Sequence, residues 1–73
     1  MNFTFSETRE PGTYKPVLDG NRRTAIVICP RCGSRLHLSP HLVLNDGTVT
    51  PSVVCRSPCK FHEFITLDGW SSV

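Results

Sequence analysis

The sequence predicts a small all-β domain, a zinc ribbon with two cysteine knuckles and little or no helix. Three observations carry that expectation. Four cysteines fall into two close pairs, Cys29/Cys32 and Cys55/Cys59, with 22 residues between the pairs. Each pair follows a stretch with β-branched residues, Ile26-Val27-Ile28 or Ser52-Val53-Val54. No window repeats apolar residues at the 3.6-residue period over three helical turns. With 73 residues the chain has room for one domain. A globule of that size buries only about 60% of the surface its unfolded chain exposes. Its core is therefore marginal, and a staple such as a bound metal is expected.

Residues 1–23 are expected to form an N-terminal arm, and 24–73 the zinc-ribbon domain. In the arm, Phe3 and Phe5 alternate with polar neighbours as in a short edge strand. Glu10-Pro11-Gly12 and Asp19-Gly20-Asn21 are turn signals, and Tyr14, Val17 and Leu18 are candidates to fold back on the body. Thr24 to Ile28 is a β-branched run that leads into Cys29, and Arg35 to Leu38 alternates so that Leu36 and Leu38 share a face. Leu42-Val43-Leu44 and Thr48-Val49-Thr50 flank Asn45-Asp46-Gly47, a strong hairpin signal. Pro51 removes a ladder donor, so its strand should bend there or lie at an edge. Phe61 to Leu67 is expected as one last strand, closed by Asp68-Gly69 and Trp70.

Cys29-Pro30-Arg31-Cys32-Gly33 is a metal-knuckle pattern, and Cys55-Arg56-Ser57-Pro58-Cys59 is a second pair with three intervening residues. A tight turn lets two thiolates grip an ion from one side, with proline pre-setting φ and Gly33 free to adopt positive φ at the exit. Two such turns supply the four corners that Zn²⁺ prefers. The expectation is one structural zinc held by Cys29, Cys32, Cys55 and Cys59. Disulfides, a redox pair and an iron cluster are the competing readings of the same cysteines. His62, three residues after Cys59, is an alternative ligand, whereas His37 and His41 are expected to be ordinary strand or surface residues. A thioredoxin-like role for Cys29 and Cys32 needs a βαβ context that the sequence lacks.

The formal net charge of +2 is unevenly spread. Residues 1–21 carry −1, residues 22–60 carry +5 and residues 61–73 carry −2. Four thiolates around one Zn²⁺ bring −2, so the loaded protein is near neutral, with a basic centre of about +3. No run approaches the ~20 apolar residues of a membrane span. The first residues have neither the basic start nor the apolar run of a secretory signal. The expected compartment is therefore the reducing cytoplasm, where paired thiols hold metal. Length argues against large multi-lobed enzymes.

From Leu44 to Trp70 the sequence resembles small zinc-ribbon proteins of tailed phages and prophages. It is similar in particular to an uncharacterised family with a D-G-x-V-x-x-x-P-S-[VI] segment before a cysteine, a histidine and an aromatic strand. The residues that carry the likeness are Asp46-Gly47-Thr48-Val49-Thr50-Pro51-Ser52-Val53, then Cys55, Cys59, Phe61-His62 and Gly69-Trp70. The spacing differs, since Pro51-Ser52 stands just before Cys55 and two cysteines precede the histidine. The resemblance implies a phage-type regulator or adaptor in the host cytoplasm, acting on a larger host machine. Some relatives near bacterial ubiquitin-like conjugation genes look like serine peptidases, which nominates Ser52 and His62 as nucleophile and base, with Asp46 or Glu63 as orienter.

The leading functional expectation is thus a non-catalytic binding module. Arg31, Arg35, Arg56 and Lys60 lie in or beside the knuckles and are expected to cluster at the metal end. Phe3 and Phe5 are candidates to add an edge strand to a partner. A protein partner is expected first. Nucleic acid comes second, bound weakly through the same cations, with Phe61, Phe64 and Trp70 offering stacking faces. A serine hydrolase comes last, because an oxyanion hole and a substrate groove need more chain than 73 residues spare.

Overall fold

The computed structural model describes residues 1–56 and 59–73. Its strands are β1 (Asn2–Phe5), β2 (Thr13–Asp19), β3 (Arg22–Ile28), β4 (Arg35–His37), β5 (Leu42–Val43), β6 (Val49–Thr50), β7 (Val53–Val54), β8 (His62–Glu63) and β9 (Thr66–Leu67). Among the described residues the helical content is one 3₁₀ turn, Trp70–Ser72. The all-β expectation is met.

Five strands form the main sheet in the order β4-β3-β2-β1-β9. β2 and β3 make a long antiparallel hairpin paired from Tyr14↔Val27 to Asp19↔Arg22, turning through Gly20-Asn21. β4 continues it with Val27↔Leu36 and Ile28↔Arg35. The next two contacts are parallel: β1 pairs with β2 through Thr4↔Thr13 and Phe5↔Tyr14, and with β9 through Asn2↔Thr66 and Phe3↔Leu67. Parallel neighbours usually need a long crossover. Here β1 and β2 share two register pairs, so residues 6–12 have only a short return to make.

Residues 1–23 therefore do not stand apart as an arm. β1 is an interior strand, flanked on both sides, and the division at residue 24 falls inside β3. Phe3 is completely buried and meets Phe61 edge to face with ring centroids 6.4 Å apart. Tyr14 is buried too, its hydroxyl donating to the Asp68 carbonyl, and Trp70 stacks obliquely on it at 6.0 Å. Arg23 lies over the Trp70 ring and donates to the Trp70 carbonyl, which ties the chain end to the β2–β3 hairpin.

The two remaining sheets are two-stranded. β5–β6 is the hairpin expected around Asp46-Gly47, registered Leu42↔Thr50 and Val43↔Val49. Strand β6 stops at Thr50, directly before Pro51. β7–β8 pairs Val53↔Glu63 and Val54↔His62. The single strand expected over Phe61–Leu67 is split, because β8 serves this hairpin while β9 joins β1. Phe64 and Ile65 make the passage between them, Phe64 exposed and Ile65 buried. One continuous core links all three sheets, including Phe3, Val27, Leu38, Val49, Val53, Phe61 and Leu67.

Gly47 is more than a turn residue. Its φ is +92°, and its carbonyl accepts a 2.8 Å hydrogen bond from the Leu67 N–H. A Cβ there would stand 2.2 Å from the Leu67 carbonyl oxygen, a backbone atom of β9. Gly47→Ala combines a left-handed conformation with an overpacked contact, and we expect a loss of about 3 kcal/mol. Urea denaturation of the metal-loaded protein measures it; an unchanged midpoint would show that β9 yields freely.

Candidate metal centre

The site is built where two hairpins turn. β3 delivers Cys29 at the end of an apolar strand, and the chain reverses through Pro30-Arg31-Cys32-Gly33 into β4. The Gly33 N–H donates to the Cys29 carbonyl and the Cys29 N–H to the Ser34 carbonyl, both at 2.9 Å. Gly33 takes φ +75°, the positive value expected at the exit. On the other hairpin β7 delivers Cys55, whose N–H donates to the Phe61 carbonyl at 2.9 Å. Of the second knuckle, Ser57 and Pro58 lie outside the described residues.

All four sulfurs lie within 4.8 Å of one another. Cys29 Sγ is 3.7 Å from Cys59 Sγ, and Cys32 Sγ is 3.5 Å from Cys55 Sγ. A regular tetrahedron with metal–sulfur bonds of about 2.3 Å has sulfur–sulfur edges of about 3.8 Å. Both close pairs sit near that edge, and each joins one knuckle to the other. The residues fit a single ion shared by the two turns. Separations of 3.5 and 3.7 Å are also far longer than the ~2.05 Å of a disulfide, and all four cysteines are free.

Burial grades the site from inside outward. Cys29 and Cys55 are buried, Cys59 is partly buried and Cys32 faces solvent. Cys32 Sγ lies 3.2 Å from the Ser34 hydroxyl; as a thiolate it accepts that hydroxyl's hydrogen bond and the Ser34 N–H, which hold its pKa down to about 6. Desolvation instead pushes Cys55 up to about 12, reinforced by its hydrogen bonds to Cys32 and Cys29. At Cys59 the Phe61 N–H favours the thiolate, but burial and the neighbouring sulfurs outweigh it and raise the pKa. The Ser34 hydroxyl beside Cys32 is a neighbour that the spacing of cysteines alone does not nominate. Its signal is a hydroxyl two positions past a ligand, directly after the knuckle glycine.

His62 is not among the clustered ligand residues; its Nε2 is 2.7 Å from the Ser52 hydroxyl. Ser52 and His62 are thus brought together, but neither nominated orienter bonds to the histidine among the described residues. Asp46 Oδ1 accepts the Thr48 N–H at 2.9 Å, which lowers its pKa, and Glu63 follows His62 along β8, so its side chain leaves the opposite face. His41 Nδ1 lies 3.1 Å from the Pro51 carbonyl, and His37 is exposed on β4.

The basic residues divide. Arg31 and Lys60 line one groove of about 420 Å³ beside the knuckles, with Phe61 and His62. Arg35 lines a different groove on the main sheet, and Arg56 is exposed in the second knuckle. The expected four-residue cluster is therefore incomplete, because Arg35 sits on β4 opposite Ile28 and not in the turn. Of the two arm phenylalanines, Phe3 has no surface to offer a partner, whereas Phe5 is 42% exposed.

Fold and site together define a class: two strand–knuckle–strand units that bring four cysteines to one point, the layout of a zinc ribbon and of a metal-binding module. Compared with known proteins, the chain matches no family model, no curated protein and no solved structure. Among the described residues no helix is long and apolar enough to cross a membrane.

Proposed function

We propose that this chain is a non-catalytic zinc module, a regulator or adaptor of the phage type, that presents its metal end to a protein partner. The observation that carries the reading is the gathering of four cysteine sulfurs within 4.8 Å. Four thiolates favour Zn²⁺ or an iron centre, and with every corner filled by protein no position is left to activate water. Zinc then does architectural work: it locks the β3–β4 and β7–β8 hairpins together. Metal analysis is expected to return one zinc per chain, and an iron-loaded protein would overturn the assignment.

The metal end also carries the surface. Val54 and Phe64 are 60% and 70% exposed; Val54 pairs with His62 on the β7–β8 hairpin, and Phe64 directly follows β8. Exposed aromatic and aliphatic groups rimmed by arginine are the composition of a protein interface. Arg31 and Lys60 line the groove beside the knuckles together with His62, the register partner of Val54. The near-neutral charge of the loaded protein favours protein over nucleic acid. The test is a pull-down from bacterial lysate with the zinc-loaded chain, with and without nuclease. Specific capture should survive nuclease and disappear when Val54 and Phe64 are both replaced by serine. Capture abolished by nuclease would transfer the proposal to nucleic acid.

A second reading rests on the 2.7 Å contact between Ser52 and His62, which is the nucleophile–base distance of a serine hydrolase. Both residues are at least partly exposed, and among the described residues no carboxylate bonds to the histidine to orient it as activation needs. We expect Ser52→Ala to retain the biological effect in full while zinc content is unchanged. Loss of effect with zinc retained would restore the enzyme.

A further inference from the structure

A second groove lies on the sheet face opposite Val27 and Leu36, reaching Ile28 and Arg35 at the base of the first knuckle. Ser6, Glu7 and Arg9, in the connection from β1 to β2, line one side of it, and its volume is about 240 Å³. Ile26, partly exposed, and Ile28, almost wholly covered, line it, as do Arg9, Lys15 and Arg35 with one carboxylate, Glu7. The registers explain the grouping. Lys15 pairs with Ile26 across β2–β3, and Ile28 pairs with Arg35 across β3–β4, so two cations flank an apolar strip on one face. The connection brings in the third. Arg9 has φ +60°, the sole non-glycine residue in the left-handed region among the described residues. That conformation is disfavoured for a residue with a Cβ.

Among the described residues Arg9 and Arg35 have no ion-pair partner. Among the described residues the one ion pair is Lys15 Nζ to Glu7 Oε1 at 4.0 Å, between two largely exposed side chains. Such a pair is weak and readily exchanged. Three cations against one carboxylate leave the groove net positive, and two guanidinium groups suit the oxygens of a phosphate. An apolar lining beside them suits the ester group. The space is smaller than the 300–1,000 Å³ of a drug-sized pocket. With the connection along one side, it takes a compact ligand better than a running polymer.

We propose that this groove binds a small phosphate monoester with an apolar ester group, the phosphate held by Arg9, Lys15 and Arg35 and the ester group laid on Ile26 and Ile28. The inference is independent of the partner proposed for the metal end. It is tested on the zinc-loaded full chain by following backbone amide shifts during titration with phenyl phosphate and, separately, with inorganic phosphate. Phenyl phosphate should give saturable shifts at Ile26, Ile28 and Arg35, and bind about tenfold more tightly than inorganic phosphate because only it uses the apolar lining. Arg35→Ala and Arg9→Asn, the latter tolerant of positive φ, should each weaken binding about tenfold, and Glu7→Gln should tighten it. Equal affinity for the two probes, no saturation by about 10 mM, or shifts confined to Arg31 and Lys60 would overturn the proposal. So would a single-stranded oligonucleotide that displaces phenyl phosphate from these residues, since it would make the groove a nucleic-acid site.

Discussion

Removing the metal with a strong chelator, or replacing Cys29 or Cys55 by serine, is expected to collapse the dispersed amide spectrum of the folded chain. Structural zinc contributes about 10–16 kcal/mol of binding energy in small domains, which matches or exceeds the 5–15 kcal/mol by which whole domains are stable. The described core has few large side chains, and three of its contributors or neighbours, Cys29, Cys55 and Cys59, are ligands themselves. Without the ion, the β7–β8 hairpin keeps its two register pairs and the Cys55–Phe61 hydrogen bond, too little for a two-stranded sheet to persist alone. Cys29→Ser and Cys55→Ser leave a hydroxyl in a buried position besides removing a ligand. Cys32→Ser should be milder, because that sulfur is exposed.

Proton release during zinc uptake checks the same site. In the metal-free cluster Cys32, near 6, is already a thiolate at pH 7, whereas Cys55, near 12, is still protonated. Zinc must displace protons, so affinity rises with pH. The metal-dependent stability is present at neutral and higher pH and is lost as acid reprotonates the bound thiolates. Calorimetry in buffers of different ionisation enthalpy counts the protons. A chain that stays dispersed after full chelation would show that hydrogen bonds and core, not metal, hold the hairpins.

Phe3→Ala is the second large effect. The side chain is completely buried, packs on Phe61, and belongs to a strand bonded on both edges. Truncating a buried phenylalanine costs about 3–5 kcal/mol, close to all that a domain of this size has to spare. Phe5→Ala, on the same strand but 42% exposed, should cost about 1 kcal/mol or less, the remainder being its edge contact with Tyr14 at 6.1 Å. Denaturant midpoints of the two zinc-loaded variants measure the difference. Equal small losses would mean that residues 2–5 are peripheral after all.

The knuckles, the Asp46-Gly47 hairpin, and the shared face of Leu36 and Leu38 were legible because each is a local pattern. A ligand spacing, a turn dipeptide and a period of two are all written within a few residues. The place of β1 was not legible. Alternating Phe3 and Phe5 describe a strand, but they do not say which strands flank it. Its partners are β2, after an intervening loop, and β9, at the other end of the chain. The break between β8 and β9 escaped for the same reason. Phe61 to Leu67 is uniformly strand-forming, and what divides it is a change of partner from β7 to β1.

The site shows the same division. Four cysteines in two pairs foretell a tetrahedral centre, because thiolate chemistry and turn geometry depend on residue type and spacing alone. Which cations surround that centre does not follow from nearness in sequence. Arg35 is three residues from Cys32 yet stands on the main sheet, since β4 has already turned its side chain to the face beside Ile28. Arg31 and Lys60, far apart along the chain, line one groove because the sulfurs draw their two turns together.

By itself the amino-acid order determined the strand-forming segments, the two chelating turns and the need for a staple, all consequences of short-range sterics and ligand chemistry. Only the tertiary structure decided that the first strand lies inside the sheet, that Ser52 meets His62, and that Arg9, Lys15 and Arg35 share a groove. Those are pairings between distant parts of the chain, set by which apolar faces can be buried together, and no local pattern encodes them.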